Sequence, residues 1–242
     1  MKGVILAGGT GTRLAPLTHL FNKHLLPVGR YPMIVHPFMQ MVNSGVQDVL
    51  VVTSPDTVGF LARLIGDGHR QGVQVSYRVQ EHPGGIAHGL ALARDFVGEH
   101  PCLVILGDNI LTDNLKPYVE SFRAAPQGAH IFVKAVDDPT RYGVAEVRGN
   151  QVTRIVEKPK QPKSNYAVTG IYLYDERVFA VIDRLSPSGR GEYEITDVNN
   201  DYIGRHAMSH TVLTGDWVDA GTFSSMQVAN QLMQDCTYPE FA

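Results

Sequence analysis

No apolar run in this 242-residue sequence approaches the ~20 residues of a membrane-crossing helix, so no membrane partner is expected. Cysteine is scarce as well. Two are present, Cys102 inside the apolar run Pro101–Leu106 and Cys236 near the end, too few for a disulfide framework. A packed thiol at Cys102 fits a reducing compartment. Met1-Lys2-Gly3 passes directly into an apolar strand, so no secretory leader is expected, and a cytoplasmic protein is. Positive charge is not in surplus either. The formal net charge of −3 leaves no global basic field to attract nucleic acid. An anionic ligand must be met by local cations and backbone amides.

Several catalytic signatures are also missing. A Walker A loop ends in Gly-Lys-Ser/Thr, whereas Gly11 is followed by Thr12-Arg13. A dinucleotide fingerprint needs a third glycine where Leu14 stands, which disfavours a Rossmann oxidoreductase. The ten histidines include no His-Glu-x-x-His, so no zinc site is expected. There is no Gly-x-Ser-x-Gly elbow, and no nucleophilic serine or cysteine stands out.

What is present is organised around Val4-Ile5-Leu6-Ala7-Gly8-Gly9-Thr10-Gly11-Thr12-Arg13-Leu14. The apolar run reads as a buried strand and the glycines as a tight loop at its end. Loop amides backed by a guanidinium suit a polyphosphate, although a plain strand-ending turn would look similar. Lys23, in Asn22-Lys23-His24-Leu25-Leu26-Pro27, adds a second cation. Both cations could equally be solvated surface charge.

The pattern of the first 110 residues alternates strand and helix. Helices are expected at 31–43, from Pro55 to Ile65 and at 86–96; strands at 48–53, 73–79 and 103–106. This alternation predicts an α/β fold with a Rossmann-like, mostly parallel central sheet flanked by helices. Ligands of such sheets sit beyond the C-terminal strand ends, so the loops at 8–13, 80–85 and 107–109 would share one mouth. The second half is richer in strands, expected at 129–136, 143–147, 152–156, 166–174 and 211–213. A helix is expected at 191–203, carrying Glu192, Glu194 and Asp197, then a loop at 215–222 and a last helix at 223–235. Ser188-Gly189-Arg190-Gly191 reads as a mobile loop. No repeat or linker divides the chain, so one domain is expected, with halves at about 1–112 and 113–242 sharing a sheet.

Asp108 and Asp219 each lie in a short polar loop beside apolar segments. Two such carboxylates suit Mg²⁺, which takes its other ligands from water and substrate phosphates. Gly107-Asp108-Asn109 is equally turn-prone. Glu157-Lys158-Pro159, with Tyr142-Gly143 upstream, could bind sugar hydroxyls and a sugar phosphate, or form an ordinary surface hairpin.

Taken together, these stretches resemble the sugar-1-phosphate nucleotidyltransferases, the glucose-1-phosphate thymidylyltransferase branch in particular. The resemblance adds Asp138-Pro139-Thr140-Arg141-Tyr142-Gly143-Val144, Ser164–Gly170, Arg190–Asp197 and Trp217-Val218-Asp219-Ala220-Gly221-Thr222, in family order over nearly the whole chain. It implies that a sugar 1-phosphate reacts with dTTP or UTP to give a nucleotide sugar and pyrophosphate. It also implies roles. Leu6, Gly8, Gly9, Gly11, Thr12 and Arg13 would hold the nucleotide, and Gln80 and Gly85 would read the pyrimidine. Arg13 and Lys23 would be catalytic, and Asp108 and Asp219 would hold Mg²⁺ beside the nucleotide. Asn109, Tyr142, Gly143, Glu157, Lys158, Val168 and Trp217 would line the sugar pocket. Homo-oligomers are common in the family. His88 departs from the Gln or Glu usual at its place, so contacts near the base are expected to differ. The sequence also stops soon after its last helix, where longer members continue into a regulatory site. A uridylyltransferase, an enzyme for another sugar phosphate and a non-catalytic sugar-nucleotide sensor are the rival readings.

Overall fold

The first apolar run is strand β1 (Lys2–Ala7) of a computed structural model that describes residues 1–241. Its side chains alternate between two buried faces. Val4 and Leu6 enter one core, Ile5 and Ala7 the other. A strand covered on both sides needs apolar residues at every position, which is why the run is continuous. After β1 come the two-residue strands β2 (Pro27–Val28) and β3 (Tyr31–Pro32), then α1 (Val35–Asn43). The alternation continues through β4 (Asp48–Thr53), α2 (Pro55–Ile65), β5 (Gln74–Val79), α3 (Ile86–Ala91), α4 (Arg94–Val97) and β6 (Cys102–Leu106).

The remainder contributes β7 (Asn109–Leu111), α5 (Lys116–Ala124), β8 (Ala129–Ala135), β9 (Gly143–Arg148), β10 (Gln151–Glu157) and β11 (Tyr166–Tyr174). It ends with α6 (Val178–Ile182), α7 (Ile195–Gly204), β12 (Met208–Val212), β13 (Trp217–Asp219) and α8 (Phe223–Leu232). The central sheet has nine strands in the order β10-β9-β11-β6-β1-β4-β5, with β8 paired to both β11 and β12. β6, β1, β4 and β5 are parallel, as expected for the α/β half. β11 then runs antiparallel to β6, and this pairing makes the sheet continuous across the two halves. Helices α1, α2 and α5 cover one face; α3, α6 and α7 cover the other.

Several elements differ from the sequence reading. The helix expected from Tyr31 starts at Val35, because a turn at Gly29 (φ +59°) first pairs Val28 with Tyr31. The helix expected over 86–96 breaks after Ala91, where the Ala93 amide bonds back to Leu90 and tightens the chain. The helix expected from Gly191 starts at Ile195, so Glu192 and Glu194 precede it. The Tyr193 backbone is committed elsewhere: its N–H donates to Gly84 (2.8 Å) and its carbonyl accepts from Ala87 (3.1 Å). Trp217–Asp219 is not a loop but strand β13, antiparallel to the unexpected β7. The strand expected at 211–213 is Met208–Val212, the last helix ends at Leu232, and α5 and α6 had no counterpart.

Candidate active site

Beyond the C-terminal ends of β1, β5 and β6, the following loops open into one cavity of about 370 Å³. Of the residues singled out, Leu6, Gly8, Gly9, Arg13, Lys23, Gln80, Gly85, Asp108, Asn109 and Asp219 line it. Tyr142, Gly143, Glu157, Lys158, Val168 and Trp217 line it from the strand-rich half. Gly11 and Thr12 are not among the lining residues. Gly11, at φ +68°, backs onto Lys23 instead: a Cβ there would lie 2.9 Å from the lysine Cβ. Thr12 is exposed and begins a single helical turn.

The glycine loop and Lys23 are packed together. A Cβ on Gly9 would sit 3.3 Å from Lys23 Cε, so small residues here let the lysine run along the loop. Its ammonium ends in an ion pair with Asp108 Oδ2. Lys23 is delivered by the Asn22–Leu26 segment, which His24 pins. The His24 ring is buried and lies against Gly107, and Asn22 Oδ1 accepts from the His24 amide at 3.0 Å. Burial, then the neighbouring Lys23, pushes His24 down to about 3, so it stays neutral beside the charged pair.

Asp108 and Asp219 meet because β7 and β13 pair, with Asp219 opposite Asn109. Asn109 is buried and engaged at both ends of its side chain. Its Oδ1 accepts from the Trp217 indole N–H (2.7 Å) and the Gly170 amide (2.8 Å), while its Nδ2 donates to Asp108 (3.1 Å). Trp217 is thereby fixed edge-on to Tyr142, with ring centroids 5.3 Å apart. Arg13 reaches the same corner: a Cβ on Gly221 would lie 2.8 Å from Asp219 Oδ1 and 2.9 Å from Arg13 Nη2.

Burial opposes ionisation of Asp108, but the Lys23 ammonium beside it and the hydrogen bonds from Lys23 and Asn109 hold the carboxyl well below the usual carboxylate range. Asp219 goes the other way. Burial and the Asp108 charge push it up, against the pull of Lys23 and Arg13. A buried and a half-buried carboxylate that repel each other, with oxygen as the only donor type, fit a hard divalent cation. Among the described residues no group of three or more His, Cys, Asp or Glu gathers to hold a metal. A cation here would therefore draw its remaining ligands from water and phosphate oxygens, which the open cavity allows.

The opposite wall is ionic too. Glu157 Oε2 accepts from Thr196 Oγ1 at 2.7 Å, and Glu157 Oε1 lies 3.3 Å from Lys158 Nζ and 3.4 Å from Arg190 Nη2. Arg190 also meets Glu194 at 2.9 Å and Glu192 at 3.5 Å. The Ser188–Gly191 segment, read from sequence as a mobile loop, thus carries a guanidinium engaged with three carboxylates. Lys158 holds a left-handed backbone (φ +42°), with its amide donating to Tyr142 at 2.9 Å. Sequence reasoning gave no role to Arg190 or Thr196, which line the cavity. Their signal was the Arg190–Asp197 stretch itself, whose spacing was read as a helix.

Comparison with known proteins finds relatives along nearly the whole chain. A glucose-1-phosphate thymidylyltransferase of Neisseria meningitidis is 40% identical over 238 residues, covering 97% of this chain and 83% of that protein. One from Xanthomonas campestris is 42% identical over 241 residues, covering 96% and 80%. A Bacillus anthracis crystal structure, solved with sucrose under a provisional glucose-1-phosphate thymidylyltransferase name, superposes at TM-score 0.95 with 50% identity. It covers 100% of this chain and 98% of that one. A UDP-glucose pyrophosphorylase bound to UDP-glucose shares the fold at TM-score 0.84 and 21% identity, over 96% of this chain and 97% of its own. The family described as Nucleotidyl transferase matches residues 2–235, and the chain belongs to it.

Proposed function

We propose that this enzyme joins glucose 1-phosphate to dTTP, giving dTDP-glucose and pyrophosphate. The observation that carries the reading is one cavity with two ionic walls, each bearing cations and carboxylates. The glycine loop, Arg13, Lys23 and the carboxylate pair stand on one side; Glu157, Lys158 and Arg190 stand on the other. The names of the relatives at 40% and 42% identity support the substrates.

In this reading an oxygen of the sugar phosphate attacks the α-phosphorus in line. The bond to the bridging oxygen breaks, and pyrophosphate leaves with its electron pair. No general base is needed, because the sugar phosphate is already an anion near neutral pH. The protein's task is to bring two polyanions together and offset their charge. Gly8 and Gly9 let the backbone approach the triphosphate. Arg13 and Lys23 balance charge at the α-phosphate and the leaving pyrophosphate. Gln80 and Gly85 face the base. Lys158 and Arg190 receive the sugar phosphate, and Glu157 accepts from sugar hydroxyls. Tyr142 and Trp217 form an aromatic wall against the sugar. Asp108 and Asp219 would hold Mg²⁺, whose charge would offset that of the phosphates.

The same reading treats residues 1–242 as one domain working in the cytoplasm, with the two cysteines unpaired. It also has copies of the chain associating, which the exposed Leu17, Leu20, Phe21 and Phe60 side chains support and light scattering tests. No helix among the described residues is long and apolar enough to cross a membrane.

The direct test is pyrophosphate release from glucose 1-phosphate with each of dTTP, UTP, CTP, GTP and ATP, with Mg²⁺ and with EDTA. Metal-dependent release strongest with dTTP is expected. Release with a different triphosphate alone keeps the mechanism and replaces the base. Silence with every triphosphate and with a panel of other sugar phosphates leaves a sugar-nucleotide sensor.

A further inference from the structure

Gln80 is buried, yet only one end of its carboxamide is engaged. Its Nε2 lies 2.9 Å from His88 Nδ1. Among the described residues no protein donor reaches Oε1. That oxygen sits in a gap left by two glycines. A Cβ on Gly89 would come within 3.4 Å of it, and one on Gly8 would collide with it. Gly8, Gln80, Gly85 and Gly89 all line the cavity.

His88 is itself held in place. It lies on α3, whose first turn is tied across the site by the Ala87 amide donating to the Tyr193 carbonyl at 3.1 Å. Its ring stands 6.4 Å from that of Tyr193. A neutral imidazole protonated at Nε2 has a lone pair at Nδ1 and accepts from the Gln80 amide there. The bond takes one of the two amide hydrogens and turns the NH₂ end toward His88. The acceptor end is left for whatever enters the gap.

We propose that His88 fixes which end of the Gln80 carboxamide faces the base, and so selects a pyrimidine with an N3–H over cytosine. This rests on the nucleotide reading given above. Thymine and uracil carry a hydrogen on N3, which donates to Oε1. Cytosine has a lone pair at N3, which faces Oε1 with two acceptors and no proton between them. A buried site built to take one donor rejects a ligand that lacks it far better than an apolar pocket rejects a change of size. Without His88 nothing holds the amide. It turns over, presents Nε2 and accepts cytosine. His88 is a positioning residue: it acts through Gln80 and does not touch the nucleotide.

The test compares wild type, His88→Leu and His88→Gln in pyrophosphate release from glucose 1-phosphate with dTTP and with CTP. His88→Leu removes the acceptor while keeping an apolar side chain of comparable size. It is expected to lower the dTTP-to-CTP ratio of kcat/KM about tenfold, mainly through a higher KM for dTTP, with kcat nearly unchanged. His88→Gln, whose side-chain oxygen accepts again, is expected to restore most of the ratio. A His88→Leu enzyme that keeps the wild-type ratio, or loses activity equally with both nucleotides, overturns the proposal. Thermal unfolding of each variant separates loss of fold from loss of discrimination. Wild-type enzyme inactive with dTTP overturns the functional reading and this inference together; an active wild type with an unchanged variant ratio overturns the inference alone.

Discussion

Lys23 and Asp108 form an ion pair whose two side chains are only 12% and 10% exposed. Neither charge has bulk water to fall back on, so removing one strands the other. Lys23→Ala and Asp108→Asn should each lower kcat by about 10²–10³-fold, the range for losing one preorganised electrostatic contact. Both should stay folded, as judged by circular dichroism. Near-normal turnover in folded variants of both would remove them from the mechanism.

The same pair sets a competition. Lys23 satisfies Asp108 in the free protein, so a divalent cation entering between Asp108 and Asp219 must compete with the ammonium. Lys23→Met should therefore bind Mg²⁺ more tightly than wild type when no nucleotide is present. Differential scanning calorimetry checks this: the Mg²⁺-dependent rise in Tm should be larger in the variant, and EDTA should abolish it in both. An equal or smaller rise would mean that the two do not share Asp108.

Asn109 is a junction rather than a ligand in the free protein. Its Oδ1 serves the Trp217 indole and the Gly170 amide at once. Asn109→Leu should leave both donors buried and unsatisfied, at a cost of about 2–4 kcal/mol. Urea unfolding should show a lower midpoint with an unchanged slope. The KM for sugar phosphate should rise as Trp217 is released.

Lys158 combines the charge proposed to meet the sugar phosphate with a strained backbone at φ +42°. Glycine takes that conformation freely, so Lys158→Gly should relieve about 1 kcal/mol of local strain while losing the cation. The expected variant is at least as stable as wild type in thermal unfolding but binds glucose 1-phosphate at least tenfold more weakly. A stable variant with unchanged binding would place the sugar phosphate elsewhere.

His130 lies between Ser209 and Thr211, at 2.8 and 3.0 Å, and stacks near Tyr118. Burial, with a smaller push from His210, lowers it to about 4. The folded state thus disfavours the charged ring. Its contribution is fully present above the unfolded value of about 6.5 and is lost as pH falls through that value toward 4. Wild type should lose about 2 kcal/mol more than His130→Gln over this window in pH-dependent chemical denaturation. Parallel profiles would show that His130 is not protonated on unfolding.

The sequence made the parallel half legible because β1, β4 and β6 are apolar at almost every position, the edge strand β5 alternates, and the helices carry one-sided patterns. Val4 to Ala7 and Leu103 to Leu106 admit little else. The glycine loop and Asp108 were legible because each follows a strand end, and Lys23 because it is a cation set just before an apolar segment. Elements held mainly by distant partners were not. β7 and β13 are three residues each, below the length at which alternation can be seen, and exist because they pair with each other. Glu192 and Glu194 sit at helical spacing from Asp197, yet Tyr193 spends its backbone on Gly84 and Ala87 and keeps the chain extended until Ile195. Arg190 looked idle because glycine and serine surround it, while its three carboxylate partners become visible only in space.

The β7–β13 ribbon joins residues 108 positions apart, Asn109 and Trp217, and with them the two carboxylates of the site. Closing so long a loop is entropically costly, and the ribbon itself is too short to repay it. The closure depends on the large sheet already standing beneath. A nascent chain that has emerged only as far as β11 has β1, β4, β5 and β6 and the glycine loop, but holds one of the two carboxylates. It cannot assemble the charge environment that transfer requires. With Asp219 as a cation ligand, as proposed, activity should begin only once β13 has been laid down.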